Sequence, residues 1–232
     1  MPASLCRCCC VQSRPTRARQ ALDLLRTWDF RATGDSAATA IFEAWYIRIA
    51  QRLFADELVD QAGNDLWPDY SSNLYFVAMA MESALIENQR WCDDVKTPTV
   101  ETCADMLALA LVDGLADMSA AQGSAEIARW RWDRVHIAQF PHQPLAGTPA
   151  GPLFNRGIAN GGDRFTVNVA SSFRDWADFS QLHAAQYRQI VDFGDLSSSR
   201  WIVAPGQSGD PNKPHYDDLL ARWQRVEYLP MR

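Results

Sequence analysis

The chain has 232 residues, of which 47% are hydrophobic and 22% charged, with a formal net charge of −6. This balance is typical of a globular protein and excludes a disordered, collagen-like or low-complexity chain. No apolar run approaches the roughly 20 residues that a membrane-spanning helix needs, so the sequence excludes such a span.

Basic residues are concentrated at the amino terminus. Residues 1–22 contain four arginines and no acidic residue, so the rest of the chain has a net charge of −10. Phosphate binding requires a basic surface. The acidic body therefore argues against nucleic acid as the main partner.

Four of the six cysteines lie in the first sixteen residues, at Cys6, Cys8, Cys9 and Cys10. This segment has no apolar stretch of seven residues, so it does not resemble a secretory signal peptide. Its cysteines also lack the paired spacing and distant partners of a zinc site. We interpret residues 1–16 as a disordered or artefactual extension.

Apolar residues then recur at helical spacing and predict four helices. The second helix is capped by Asp35 or Ser36, and the fourth by Thr97 with Pro98 in its first turn. A turn is expected around Trp67 and Pro68, before the third helix. The apolar positions of the four helices include Leu24, Leu25 and Trp28; Phe42, Trp45, Ile49 and Leu53; Leu74, Val77, Met81 and Leu85; and Met106, Ala110, Gly114 and Met118.

After Trp130 the pattern changes to short strands. Phe165, Val167 and Val169 alternate with polar residues and predict one strand, and residues 187–193 and 200–204 predict two more. Helices precede strands without βαβ alternation, which favours an α+β fold. The nine tryptophans are interpreted mainly as core residues.

No catalytic constellation is complete in these residues. The loop from Gly206 through Gln207 and Ser208 to Gly209 has the small residues of a nucleophile elbow but the wrong spacing. The histidines, His136, His142, His183 and His215, form no pair with zinc-ligand spacing. Asp217 and Asp218 are read first as the start of a helix, and as metal or acid–base groups only second.

Several short strings, in order, resemble the C-terminal part of the penicillin acylase (penicillin amidase) family, which includes the acyl-homoserine-lactone acylases. The resemblance covers about residues 17–232. The strings are ALDLLRTWD (21–29), WCDD (91–94), TP (97–98), ETC (101–103), WRW (130–132), FPH (140–142), FNRG (154–157), GGD (161–163), TVN (166–168), PGQSG (205–209), PHYD (214–217) and YLP (228–230).

The resemblance implies an N-terminal-nucleophile hydrolase, whose αββα sandwich this chain would complete with helices and strands. In that family a precursor cuts itself, and the new terminal Ser, Thr or Cys attacks an amide with its own amine as base. The match begins well inside the β chain. The nucleophile, the oxyanion Asn, the calcium ligands and the α chain are therefore expected upstream of Met1.

No residue of this chain inherits a catalytic or metal-binding role from the resemblance. Gly123 and Ser124 look like a self-cleavage junction but fall within the matching region, and we interpret them as a loop. Gly161 and Gly162, with the loop from Gly206 to Gly209, are expected to form turns between strands. The family also suggests an exported parent enzyme, periplasmic or secreted, in which Cys92 and Cys103 pair as a disulfide; two buried free thiols are the alternative.

Three functions follow. The first is a C-terminal fragment of an amidohydrolase acting on β-lactam or acyl-homoserine-lactone type substrates, inactive alone and partnered by the missing chains. The second is a non-catalytic binding module on the same scaffold. The third, a zinc enzyme using the histidines with Asp217 or Asp218, has the weakest support from the spacing.

Overall fold

The computed structural model of the protein describes residues 15–71, 74–172 and 178–231, which fall into two compact units. The first unit contains residues 15–31, 35–132 and 178 and is helical. The second contains residues 32–34, 133–172 and 179–231 and holds all the described strands. The predicted order of helices followed by strands is confirmed, and the fold is α+β.

The helices and strands are short outside two long helices of the first unit. The helices are α1 (Pro15–Arg26), α2 (Ala37–Phe54), α3 (Trp67–Ser71), α4 (Leu74–Ile86), α5 (Cys103–Gln122), α6 (Trp132–Val135), α7 (Gly151–Phe154) and α8 (Leu220–Gln224). The strands are β1 (Ile137–Phe140), β2 (Arg156–Ala159), β3 (Ala170–Ser172), β4 (Gln181–Ala184), β5 (Tyr187–Ile190), β6 (Arg200–Val203) and β7 (Leu229–Pro230). No helix within the described ranges is long and apolar enough to cross a membrane.

The expected extension, residues 1–16, lies almost entirely outside the described residues. The described residues begin at Pro15, which opens α1, so this helix includes the last two residues of the expected extension. Proline is favourable here because an N–H in the first turn of a helix has no hydrogen-bond partner within the helix, so its absence costs nothing.

The first unit is built around the contact between α2 and α5. Ser36 caps α2 by accepting a hydrogen bond from the Thr39 amide at 3.1 Å, as the sequence predicts. Gly114 lies directly against the backbone of α2, where an added Cβ would meet the Ala44 carbonyl at 2.9 Å. The apolar stripe of α5 is buried against this surface through Met106, Ala110, Leu111, Gly114, Leu115 and Met118.

Two ion pairs link the same helices beside the apolar contact. Arg48 and Arg52 lie one turn apart on α2, and Asp117 and Asp113 lie one turn apart on α5. Each arginine meets its aspartate at 2.5 Å, and Arg48 bonds both carboxylate oxygens of Asp117. The pairs fix the register of the antiparallel helices.

The predicted start of α5 was wrong by five residues. Thr102 caps the helix, and its side chain and that of Asp105 bond each other's backbone amides in a capping box. The Thr97 hydroxyl instead donates to Glu101 and to the Thr99 carbonyl within the preceding loop. A capping box satisfies two amides at once, which a Thr-Pro pair cannot do.

The second unit contains two small sheets. In the four-stranded sheet the order is β2-β1-β4-β3, where β1 pairs antiparallel with β2 and parallel with β4. The three-stranded sheet has the order β5-β6-β7 and is antiparallel. A hydrophobic cluster joins strands from both sheets to α8, with members Ala138, Ile202, Ala204, Leu220 and Trp223.

The strand predicted from Phe165, Val167 and Val169 does not form at these residues. Residues 164–168 form bends, and the strand β3 begins only at Ala170. The Asp163 carboxylate accepts hydrogen bonds from the amides of Phe165 and Thr166, which curls the backbone there. Val167 is consequently fully exposed rather than buried on a sheet face.

Replacing Gly114 by alanine tests the helix contact. Alanine favours a helix by about 1 kcal/mol over glycine, but its Cβ would push against the backbone of α2, and we expect overpacking to outweigh the gain. The free energy of unfolding should fall by about 1–3 kcal/mol. Ala108→Gly at an exposed position of α5 is the control for helix propensity. A Gly114→Ala protein more stable than wild type would contradict the close contact.

Candidate functional site

A cleft of about 560 Å³ lies in the second unit and brings together residues from several of the strings singled out in the sequence. Aromatic rings of Phe140, Phe154 and Tyr216 line it, together with the imidazoles of His142 and His183. Gly206, Ser208 and Gly209 form part of its wall. An aromatic cavity with a few polar groups is the usual form of a ligand site, so this cleft is the candidate functional site.

Arg156 organises one side of the cleft. Its Nε donates to Asp217 at 2.5 Å, and its guanidinium lies 4.6 Å from the centre of the Tyr216 ring. The Tyr216 hydroxyl in turn donates to the Phe154 carbonyl at 2.5 Å. These contacts neutralise the arginine and tie β2, α7 and the chain before α8 together.

The two aspartates before α8 do not act as its cap. The helix begins after Leu219 without a side-chain cap, because Asp217 bonds Arg156 and Asp218 accepts from the His215 ring at 2.8 Å. The two aspartates thus precede the helix, as the sequence suggests, but both side chains are bonded to other residues. Partners 61 positions apart leave no periodic signal in the sequence.

The loop at Gly206 is held by one carbonyl group. The amides of Gln207 and Ser208 both donate to the His215 carbonyl at 2.8 Å, and a Cβ at Gly206 would lie 2.4 Å from that same oxygen. Only glycine fits this approach. The loop leads from β6 to a 3₁₀ turn at Pro214–Tyr216 rather than directly to the next strand.

Ser208 is not arranged as an activated nucleophile. Its hydroxyl accepts from the Asp210 amide at 3.1 Å and donates to the Asp210 carbonyl at 3.3 Å. His215, which meets the loop through its backbone, directs its ring to Asp218. Within the described residues no imidazole hydrogen-bonds the Ser208 hydroxyl, so the base that serine chemistry requires is not at this position.

The other glycines flagged in the sequence lie beyond β2. Gly162 has a φ of 85°, and an added Cβ there would meet the Asn168 carbonyl at 2.3 Å. The Gly162 amide donates to the Ala32 carbonyl, and a Cβ at Gly161 would approach that oxygen at 2.9 Å.

Gly123 caps the end of α5 in the left-handed conformation, and Ser124 follows it in a loop.

The four histidines occupy different environments. His136 is fully buried before β1, where its Nδ1 donates to the Phe179 carbonyl at 2.8 Å. His142 packs its ring 4.9 Å from that of Phe154. Across the described part of the chain, no group of three or more His, Cys, Asp or Glu side chains is placed to hold a metal ion.

Cys92 and Cys103 are joined by a disulfide in the first unit, with their Cα atoms 4.8 Å apart. The bond closes the loop of residues 93–102. Two hydrogen bonds also stabilise this loop: the Asp93 carboxylate accepts from the Glu101 amide at 2.9 Å, and the Glu101 carboxylate accepts from the Asp94 amide at 3.2 Å. This loop borders a second cavity, of about 400 Å³, that Arg48, Arg52 and Lys96 line with several carboxylates.

Comparison with known proteins places these features in one family. The model of the penicillin amidase family matches residues 3–232. The chain therefore belongs to the penicillin amidase family, as the sequence strings indicate.

Its similarity to named relatives is moderate and covers only part of each. The acyl-homoserine lactone acylase QuiP of Pseudomonas syringae pv. syringae (strain B728a) is 31% identical over 216 residues, which are 91% of this chain and 26% of the relative. Penicillin acylase 2 proenzyme of Pseudomonas sp. (strain SE83) is 33% identical over 102 residues, which are 43% of this chain and 13% of the relative. The chain thus spans about a quarter of the length of the QuiP relatives.

A solved structure shares the fold. Thermostable penicillin G acylase from Alcaligenes faecalis matches with a TM-score of 0.50 and 18% identity, over 94% of this chain and 40% of that one. This likeness shows that the chain shares the fold of that structure, in agreement with the expected α+β class.

Buried His136 makes the stability of the second unit sensitive to acid. Burial lowers the pKa of its imidazole from 6.5 to about 4. Between these values the unfolded chain binds a proton that the folded chain does not, so stability falls as pH drops from about 6.5 to about 4. We expect a loss on the order of 3 kcal/mol, measured by unfolding at several pH values, that His136→Gln removes. His183→Gln, at an exposed position, should retain it; an unchanged acid slope in His136→Gln would contradict this.

The disulfide can be tested by mass spectrometry. Alkylation of denatured, unreduced protein should leave Cys92 and Cys103 unmodified and their peptides linked. Because the bond closes a short loop, replacing both cysteines by alanine should lower the unfolding free energy of the first unit by about 2–3 kcal/mol. Alkylation of both thiols without reduction would instead support buried free cysteines.

Proposed function

We propose that this chain is the C-terminal portion of a penicillin-acylase-like amidohydrolase that hydrolyses linear amide bonds. The observation that carries the proposal is membership of the family over residues 3–232, combined with a length about a quarter that of the QuiP relatives. In this account the chain supplies framework, and the reactive amine lies in polypeptide beyond it.

The proposed chemistry explains why the framework needs no base of its own. An α-amino group titrates near 8 and accepts the proton of an adjacent hydroxyl or thiol at neutral pH. The terminal Ser, Thr or Cys then carries the acyl group until water releases it. Backbone amides and an Asn side chain stabilise the oxyanion. The substrates proposed are β-lactam or acyl-homoserine-lactone amides, the classes named for the relatives.

The outer edge of β5 supports the proposal that other polypeptide covers this chain. The Ala204 amide donates to the Gln186 carbonyl at 3.1 Å. Because antiparallel pairs alternate, the backbone groups of Tyr187 and Gln189 face away from β6. In the described part of the chain no strand pairs with this edge.

Large apolar side chains at this edge and in the residues that follow it are exposed to solvent. Phe193 is 91% exposed and Leu196 65%, and Tyr187 and Ile190 are about half exposed. Exposed edges and apolar patches of this kind promote association. We propose that the remainder of the β chain and the α chain cover them. A non-catalytic binding module remains the alternative, which a monomeric chain with one sharp melting transition would favour.

The parent enzyme is proposed to be periplasmic or secreted. The disulfide between Cys92 and Cys103 supports this, because such bonds persist in oxidising compartments. Residues 17–232 are proposed to form the framework.

The purified chain should not hydrolyse penicillin G or an N-acyl-homoserine lactone above the rate in buffer, because Ser208 lacks a base. Product release, followed by chromatography, measures this. Ser208→Ala and the control Ser124→Ala should be indistinguishable from wild type. Turnover by wild type that is lost in Ser208→Ala and kept in Ser124→Ala would contradict the proposal.

A further inference from the structure

Two adjacent carboxyl groups lie at the end of α2. Asp56 and Glu57 follow Ala55, which caps the last turn of the helix. The carboxyl end of a helix carries partial negative charge and disfavours further anions. Asp56 is nevertheless only 8% exposed, so these groups require some compensation.

Asp56 also holds the disulfide-closed loop. One of its oxygens, Oδ2, accepts a hydrogen bond from the Val95 amide at 2.9 Å. The neighbouring Lys96 donates from its Nζ to the Ala55 carbonyl at 3.3 Å. The loop of residues 93–102 is thus attached to the end of α2 by two hydrogen bonds between its ends at Cys92 and Cys103.

The remaining buried oxygens of the pair lack an ordinary donor. Within the described ranges, no N–H or O–H group bonds Asp56 Oδ1 or Glu57 Oε2. Each side chain thus keeps one buried oxygen without a hydrogen-bond donor, and the two groups are neighbours in the chain. Burying a carboxylate oxygen without a donor is costly, and two neighbouring carboxylates repel each other, so these groups require a proton on one of them.

The surrounding charges do not remove this requirement. Arg90, in the turn before the loop, acts in favour of an ionised Glu57 but is outweighed. Arg52 is paired with Asp113. Besides these arginines, the charged side chains that line the cavity with Asp56 are Arg48, Asp65, Asp94, Lys96, Glu101 and Asp113.

We propose that Asp56 and Glu57 form a proton-dependent latch, which holds the disulfide loop on α2 while one of the two groups carries a proton and loosens when that proton is lost. The latch belongs to the first unit and does not depend on the proposed hydrolase function.

The raised pKa of Glu57 determines the direction of the pH effect. Burial, then the hydrogen bond and charge of Asp56, raise the pKa of Glu57 from 4.5 to about 7. Between these values the folded chain retains a proton that the unfolded chain has released. The latch therefore stabilises the first unit fully below about pH 4.5, and this contribution is lost as pH rises through about 7.

Hydrogen exchange at the Val95 amide tests the latch in the full chain. The protection factor, which already corrects for base-catalysed exchange, should fall above about pH 7 by up to about tenfold per pH unit in wild type. Glu57→Gln should keep the loop protected at pH 8, because the amide side chain cannot lose a proton and become charged beside Asp56. Asp56→Asn should also remove the pH dependence, since it retains an acceptor for Val95.

Glu82→Gln, at an exposed glutamate of α4, is the control and should behave as wild type. Carbon-13 NMR of the Glu57 carboxyl provides a second measurement and should show titration near 7. Titration of Glu57 near 4.5, or equal pH dependence of Val95 protection in wild type and Glu57→Gln, would overturn the proposal.

Discussion

Apolar surface at the outer edge of β5 is the physical constraint on which the interpretation of this chain depends. Among the described residues no strand pairs with this edge, and large exposed apolar side chains such as Phe193 follow it. A stable protein normally covers, charges or shortens such an edge. The simplest source of cover is the polypeptide by which the QuiP relatives exceed this chain, about three-quarters of their length. Family membership and exposed surface therefore point to the same conclusion.

Sequence periodicity predicted the elements that depend on burial. The stripe from Met106 to Met118 predicted α5 because a long helix needs one continuous apolar face. Of the two predicted caps of α2, Asp35 and Ser36, the structure has Ser36. The strands near Tyr187 and Arg200 were predicted in place, although the first is shorter than expected. These features are local, so a single sequence contains their signal.

The errors share a different cause. The start of α5 at Thr102 and the bends after Asp163 are decided by hydrogen bonds from side chains to nearby amides, which compete with the apolar pattern. The contact of Arg156 with Asp217 and the attachment of Val95 to Asp56 join residues 61 and 39 positions apart. Sequence periodicity carries no signal for such contacts, so the cleft and the latch could be identified only from the three-dimensional structure.

The described residues thus form a framework with a cleft and a cross-linked loop, and the account locates the reactive amine outside the chain. The most direct measurement of that claim is the genomic DNA sequence immediately upstream of the codon for Met1, translated in every frame. The account predicts further penicillin amidase sequence there, including a Gly-Ser, Gly-Thr or Gly-Cys junction that opens a β chain. Several hundred upstream bases that encode an unrelated protein would contradict it.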